Sequence, residues 1–246
     1  MITYNPDLKI FCSTLINDDR YFSGFSSRDQ GDARNIDNII KYFNQQYISF
    51  KRLIILEQIH STNIEVFQES EYQEQVEKLE DKDGVITNLP EVILIVRNAD
   101  CVPLVFLDKL KGVIGISHQG WRGSLKKMSI KMVEQMTQLG VEKENLRVAI
   151  GPAIGACCYD VDDDRYYSFL QEFDGYSDKI FFKKKGRWHL SLPLLNYLQL
   201  LNSGVKKGNI DFFPFCTKCD RKRFFSRRRS KTENFEKMFN FVVKIK

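Results

Sequence analysis

Histidine is scarce in this chain, with three residues in 246 against 37 lysines and arginines. Any site built on imidazoles must draw on nearly the whole supply, so the positions of His60, His118 and His189 carry information. Long apolar runs are missing as well. None approaches the roughly 18 apolar residues of a membrane helix, which excludes a helical span. The start, MITYNPDLKI, lacks the basic segment and apolar core of a secretory signal. Without such a signal, the six cysteines are expected to be free thiols in a reducing compartment, and the protein is read as cytoplasmic. There is no internal repeat, no low-complexity tract and no Pro/Gly/Ser-rich linker, and the six prolines are scattered. One domain spanning residues 1–246 is expected.

The apolar and charged fractions, 43% and 28%, are those of an ordinary folded protein and argue against disorder. A net charge of +5 would point to nucleic acid if it covered a face, but the excess sits in RKRFFSRRRSK, residues 221–231. Without that stretch the remainder is slightly acidic. The cluster either holds a phosphate-bearing ligand or is a solvated loop. Phe224 and Phe225 within it read as anchors to the core, and neither nucleic acid nor a membrane is expected as a partner.

Strand-like runs occupy RLIILEQ (52–58), NIEVF (63–67), DGVIT (83–87), VILIV (92–96), VPLVFL (102–107) and GVIGIS (112–117). The short gaps between them favour antiparallel pairing, because a parallel crossover needs a dozen or more residues. Asp32 is placed to cap a helix over about 33–46, with Ile36, Ile39, Ile40 and Phe43 on one face. A second helix is expected from near Ser124, with Met128, Met132, Val133 and Met136 as core filling and Gly140 as its stop. LRVAI (146–150) and the closing MFNFVVKI read as strands, and about 162–172 and 193–202 as helices. The expected class is α+β, one domain of mixed, largely antiparallel sheets with helices packed outside.

His60 ends LEQIHS, Cys101 ends RNADC and His118 ends GVIGISH, each just after an apolar run. Three ligand-type side chains at strand ends can converge on one rim, and two imidazoles with a thiolate suit zinc with one position left open. Their spacing, 41 and then 17 residues, matches no compact zinc finger. Each also fits a plain role as a hydrogen-bonded histidine or a buried cysteine. GWRG, directly after Gln119, adds Arg122, whose planar fork suits phosphate or carboxylate. Gly123 is read as preceding a helix start that favours an anion. Asp100 either orients a ligand histidine or caps the strand end. Cys216 and Cys219 form a CxxC with no second pair downstream, and adjacent Cys157 and Cys158 are not expected to share an ion. Cys12 and His189 read as core and as an ordinary polar contact.

GFSSRDQG, LEQIHSTNI, DGVITNLP, RNADCVPLVFLD, GVIGISHQGWRGSL, AIGPAIGACCYDV and CTKCDRKRFFSRRR stand in that order from residue 24 to near the end of the chain. On these motifs the sequence resembles the YfiH family, historically labelled laccase-like multicopper polyphenol oxidoreductases and now associated with purine nucleoside phosphorylase activity. The resemblance implies an α/β sandwich in which His60, Cys101 and His118 are both the catalytic centre and the ligands of one metal, usually zinc. It also implies phosphorolysis of adenosine, inosine, guanosine or methylthioadenosine, accompanied by adenosine deamination. Purine nucleosides and phosphate are then the partners of a monomer or homodimer. Arg122, Arg28 and Arg228 are the expected substrate-binding cations. The chain departs from the family in a shortened segment after GFSSR, in Gln119 and Arg227, and in lacking a TGR near its end.

Two other activities use the same residues. One is a copper-dependent polyphenol oxidase, since two histidines and a cysteine also suit copper. A multicopper mechanism needs a trinuclear cluster of many imidazoles, and three histidines are too few. The other is a cysteine hydrolase with Cys101 as nucleophile and His118 as base. A metal-containing interaction module without turnover is the non-enzymatic alternative.

Overall fold

Runs such as LIIL (53–56) and VILIV are apolar at every position, and a strand reads that way when both of its faces are covered. A computed structural model describing residues 1–68 and 75–245 shows the cover. In chain order the elements are β1 (Ile2–Asn5), β2 (Ile10–Ser13), β3 (Tyr21–Ser26), α1 (Ile36–Gln45), β4 (Arg52–Glu57), β5 (Ile64–Val66), β6 (Val76–Glu80) and β7 (Gly84–Thr87). Then follow β8 (Val92–Asn98), β9 (Val102–Asp108), β10 (Val113–Gln119), α2 (Trp121–Leu125), α3 (Met128–Gln138), β11 (Arg147–Ile150), β12 (Asp160–Val161) and α4 (Asp163–Glu172). The chain ends with α5 (Ser177–Ile180), β13 (Phe181–Lys184), β14 (Arg187–Leu190), α6 (Leu192–Asn202), β15 (Ile210–Phe212) and β16 (Met238–Lys244).

Among the described residues the strands form a seven-stranded sheet, β1-β2-β3-β16-β8-β4-β6, a six-stranded sheet, β15-β11-β9-β10-β7-β5, and a small sheet, β12-β14-β13. The two large sheets pack face to face. Ile54, Leu56, Leu94 and Val96 from the first meet Val85, Val105, Leu107 and Ile116 from the second in one buried cluster. The alternate residues Leu53, Ile55, Ile93 and Ile95 point the other way, onto Ile39, Tyr42 and Phe43 of α1. In the six-stranded sheet Leu104, Phe106, Val148 and Ile150 turn outward onto Met132, Val133 and Met136 of α3 and Leu195 and Leu200 of α6. The period of two thus feeds three cores, and the result is the expected α+β sandwich with helices outside. No helix among the described residues is long and apolar enough to cross a membrane.

Three expectations need correction. Short gaps do not generally make neighbours here: β4 and β5, β7 and β8, and β8 and β9 each lie in different large sheets, and of the consecutive strands from β4 to β10 only β9 and β10 pair. With two sheets to fill, the chain closes its short gaps by crossing between layers. Most pairings are still antiparallel, but β4 runs parallel to both β6 and β8, β5 to β7, and β11 to β15. The cap of α1 is Asn35, which accepts from the Asp37 N–H at 3.0 Å. Asp32 instead accepts from Arg34 and from the Lys237 N–H at 3.1 Å, tying the helix entry to the last strand. The helix after His118 begins at Trp121 rather than Ser124 and breaks at Lys127, which has left-handed backbone with φ of 59°.

Candidate metal centre and its cleft

The strand pairings explain how three residues so far apart meet. Strands β4 and β8 are parallel neighbours, so the chain leaves the seven-stranded sheet twice at the same end. After β4 it crosses through His60 to β5, and after β8 through Ala99–Asp100–Cys101 to β9, both in the six-stranded sheet. Strand β10 then returns along β9 and sets His118 opposite Pro103, two residues from Cys101. One ring nitrogen from each histidine and the Cys101 sulfur lie within 4.8 Å of one another. The imidazole centroids are 4.9 Å apart. His60 and Asp100, at the two crossings, have positive φ of 61° and 92°, a conformation that non-glycine residues keep only where surrounding structure enforces it.

A buried carboxylate organises both histidines. Asp83 immediately precedes β7, which pairs with β10, so it faces His118 directly. Its Oδ1 lies 2.8 Å from His118 Nδ1 and accepts from the His60 N–H at 3.2 Å. Its Oδ2 accepts from the Ser61 N–H at 2.6 Å, the Ser61 hydroxyl at 2.8 Å and the Ile59 N–H at 3.2 Å. With Nδ1 engaged by Asp83, Nε2 is the nitrogen of His118 left to meet Cys101 or an ion. Gly120 is required by space rather than by its backbone: a Cβ there would sit 2.3 Å from His60 Nδ1. That nitrogen is buried and has no hydrogen-bond partner.

Burial pushes the Cys101 thiol up, but the charge and hydrogen bond of His118, reinforced by His60, prevail and bring it down to about 6. Burial works against the charged form of His118 too, yet Cys101 and Asp83 raise it to about 9. Asp83, which burial alone would raise, is held below the usual carboxylate range chiefly by His118 and Ser61. The ion-free cluster is thus a thiolate–imidazolium pair, and such a thiolate is ready for a cation. Two imidazole nitrogens and one thiolate within 4.8 Å of one another fit a divalent metal with one position open. Copper suits the same donors.

Cys101 also borders a cleft of about 230 Å³, whose wall includes Trp121, Tyr159, Arg165, Arg227 and Arg228. A wider groove of about 580 Å³ shares Arg165 and Arg228 with it. Another cavity, about 490 Å³ between the Asp7–Lys9 turn and α1, touches none of these groups. Of the expected cations, Arg228 lies on the cleft wall, bonded to Asp160 at 2.5 Å with its guanidinium over Tyr159. Arg122 is exposed, its guanidinium 4.6 Å from the Trp121 ring centroid. Arg28 donates to the Arg221 carbonyl at 2.8 Å and packs over Phe225. Gly123 lies inside α2 rather than before it, so the free N–H groups of the helix start belong to Trp121, Arg122 and Gly123 itself.

Asp100 does not orient a histidine. It accepts from Thr217, Ser226 and the Arg228 N–H at 2.6, 2.9 and 2.7 Å, fastening the basic loop. Phe224 and Phe225 are buried, and Phe224 packs on Phe11 and Phe213, so they anchor that loop as expected. Sequence reasoning missed two residues. Asp83 was visible only as the first letter of DGVIT. Arg165 carried no signal beyond its place in an amphipathic helix; its guanidinium lies 4.4 Å from the Trp121 ring centroid and its buried Nε has no partner.

A two-layered β core between helices, with a His–Cys–His cluster where the chain crosses the layers, defines an α/β sandwich with a candidate metal centre beside a cationic cleft. The family model described as multi-copper polyphenol oxidoreductase laccase matches residues 14–244, and the chain belongs to this family, the YfiH family. It is 34% identical over 203 residues to purine nucleoside phosphorylase RP494 of Rickettsia prowazekii, covering 80% of this chain and 79% of that protein. It is 31% identical over 182 residues to adenosine deaminase RL5 from an unknown prokaryotic organism, covering 72% and 70%. The crystal structure of YlmD from Geobacillus stearothermophilus superposes with a TM-score of 0.84 at 26% identity, covering 97% of each chain.

Proposed function

We propose that the protein is a zinc-dependent purine nucleoside phosphorylase acting on adenosine, inosine, guanosine and methylthioadenosine, with accompanying adenosine deamination. The observation that carries this reading is that His60, Cys101 and His118 lie within 4.8 Å of one another and that Cys101 borders a cleft walled by arginine and aromatic side chains. The names of the relatives, phosphorylase and deaminase, support it.

His60, Cys101 and His118 would hold the ion, which supplies Lewis-acid polarisation and lowers the pKa of an attacking water. Asp83 fixes His118 with Nε2 left for the ion. In phosphorolysis a phosphate oxygen bonds to C1′ of the ribose while the bond to the purine nitrogen breaks. The electron pair leaves with the base, which takes up a proton, and ribose 1-phosphate forms. The phosphate brings negative charge to the cleft, and Arg165 and Arg228 are its proposed clamps because both line it. Arg122 reaches the same anion only from its exposed side of Trp121, and Arg28 acts through the basic loop whose carbonyl it holds. Trp121 and Tyr159 offer faces to the purine.

The test is to incubate metal-quantified protein with adenosine, inosine and methylthioadenosine, with and without phosphate, and to separate the products. Free base formed only with phosphate is the expected result, with inosine from adenosine marking deamination. No phosphate-dependent base release from any of them refutes the phosphorylase.

One observation favours a second reading. The lowered Cys101 thiol beside His118 is also the arrangement of a cysteine nucleophile with its base. Full activity on an amide substrate after metal removal, abolished by iodoacetamide, would support that hydrolase.

A further inference from the structure

Five of the six cysteines play no part in the proposed reaction, and four of them lie together. No second pair follows Cys216–x–x–Cys219 downstream, as expected, but Cys157 and Cys158 reach it from upstream. One sulfur from each of Cys157, Cys158, Cys216 and Cys219 falls within 4.8 Å of all the others. The Cys157 and Cys158 sulfurs are 3.7 and 3.4 Å from that of Cys219. A disulfide would bring two sulfurs to about 2.05 Å. Four thiolates bound at about 2.3 Å to one tetrahedral ion stand about 3.8 Å apart along each edge, close to the 3.7 and 3.4 Å of these two contacts.

The backbone is folded to produce this cluster. A tight turn, with the Cys158 N–H donating to the Gly155 carbonyl at 3.0 Å, carries both adjacent cysteines. The CxxC turn is closed by the Asp220 N–H on the Cys216 carbonyl at 3.0 Å. The two loops are clamped by a parallel bridge between Ala153 and Cys216 and by the Thr217 N–H on the Ala153 carbonyl at 3.0 Å. Gly155 permits the approach, since a Cβ there would lie 3.1 Å from the Cys216 Cβ and 3.3 Å from the Cys157 sulfur. Lys184, Lys185, Arg187 and Lys218 share a shallow cavity with Cys157 and Cys158, and Lys184 donates to the Cys157 carbonyl at 3.2 Å. A divalent ion in four thiolates keeps two negative charges, and these cations offset them.

We propose that Cys157, Cys158, Cys216 and Cys219 form a second, closed metal site that binds one zinc ion through four thiolates. Binding releases the protons the thiols carry, and no oxidant or reductant is involved. With all four positions taken by protein, the ion has no place for substrate and its role is structural. It joins the loop bearing Ile154 and Tyr159, one wall of the cleft, to the segment leading into Arg227 and Arg228, another. The site therefore holds the cleft walls together at the surface, where Cys157 and Cys219 are exposed.

Elemental mass spectrometry and X-ray absorption at the zinc edge test this without any turnover assay, so its outcome is separate from that of the phosphorylase reading. The His60→Ala/Cys101→Ala protein, purified with zinc, is expected to keep one zinc per chain in an all-sulfur shell at about 2.3 Å. Adding Cys216→Ser and Cys219→Ser should remove it. Should the quadruple variant not fold, the unmodified protein decides: with both sites filled its zinc has about 2.5 sulfur neighbours on average, against one if only the His–Cys–His site binds. An average of one sulfur, a zinc-free His60→Ala/Cys101→Ala protein, or a disulfide joining Cys219 to Cys157 or Cys158 each overturns the proposal.

Discussion

Asp83→Asn tests how the candidate centre is organised with the smallest change of shape. Asp83 Oδ2 faces three donors, the Ile59 and Ser61 N–H groups and the Ser61 hydroxyl, whereas Oδ1 faces His118 Nδ1 and the His60 N–H. An asparagine will turn its oxygen toward the three donors and its amide toward His118. The imidazole must then accept at Nδ1 and carry its proton on Nε2, the nitrogen needed by the ion. Loss of such a supporting carboxylate costs about 10–100-fold in metal affinity, or about 1.4–2.8 kcal/mol. Metal-free stability should fall too. The His60 N–H loses its acceptor and each remaining bond becomes neutral; at about 2 kcal/mol in all, a chain of this size melts about 4–8 °C lower. Zinc affinity measured by chelator competition, with thermal denaturation in chelator as the companion, checks both figures. An Asp83→Asn protein that binds zinc as tightly as the unmodified chain would refute the claim that Asp83 sets the His118 tautomer.

Three further outcomes are expected. Between about pH 6 and pH 9 the ion-free Cys101–His118 pair carries one proton, because Cys101 ionises above the lower value and His118 gives up its proton above the higher. Zinc needs both groups deprotonated, so its binding releases one proton from this pair at pH 7.5, releases two below about pH 6, and strengthens as pH rises through that window; calorimetry of the Cys216→Ser/Cys219→Ser protein in buffers of different ionisation enthalpy counts them, and zero at pH 7.5 contradicts the pairing. Arg165→Ala should raise the phosphate KM by about 10–100-fold, the loss of a charged hydrogen bond, with zinc content unchanged. Arg122→Ala should raise it less, and the reverse order in steady-state kinetics would move the clamp to Arg122. Gly120→Ala should displace the His60 ring and weaken zinc binding at least about tenfold, again by chelator competition, whereas unchanged affinity would mean that His60 is not a ligand.

The central strands were legible because each has to serve two cores. The cores of RLIILEQ, VILIV and VPLVFL are apolar throughout, and β4, β8 and β9 fall on these runs within two residues at each end. The methionine stripe of α3 and the ends of α4 and α6 were equally readable. The starts of the first two helices were not, since Asn35 competed with Asp32 and Lys127 takes a left-handed conformation that nothing local announces. Pairing failed where a short gap crosses layers, because gap length says only that two strands are near, not that they share a sheet.

Sequence alone determined which side chains could do chemistry, and that His60, Cys101 and His118 stand at the ends of apolar runs. It determined the family as well, through motifs spread along nearly the whole chain. Only the tertiary structure decided that those ends lie together, because their convergence depends on β4 and β8 being parallel neighbours and on β10 returning beside β9. The same holds for Asp83 behind His118, for Arg165 on the cleft wall and for the two cysteine pairs, in which Cys158 meets Cys219 from 61 positions away. Local sequence sets backbone preference and side-chain chemistry; which distant segments become neighbours is set by how the two sheets bury their inner faces against each other.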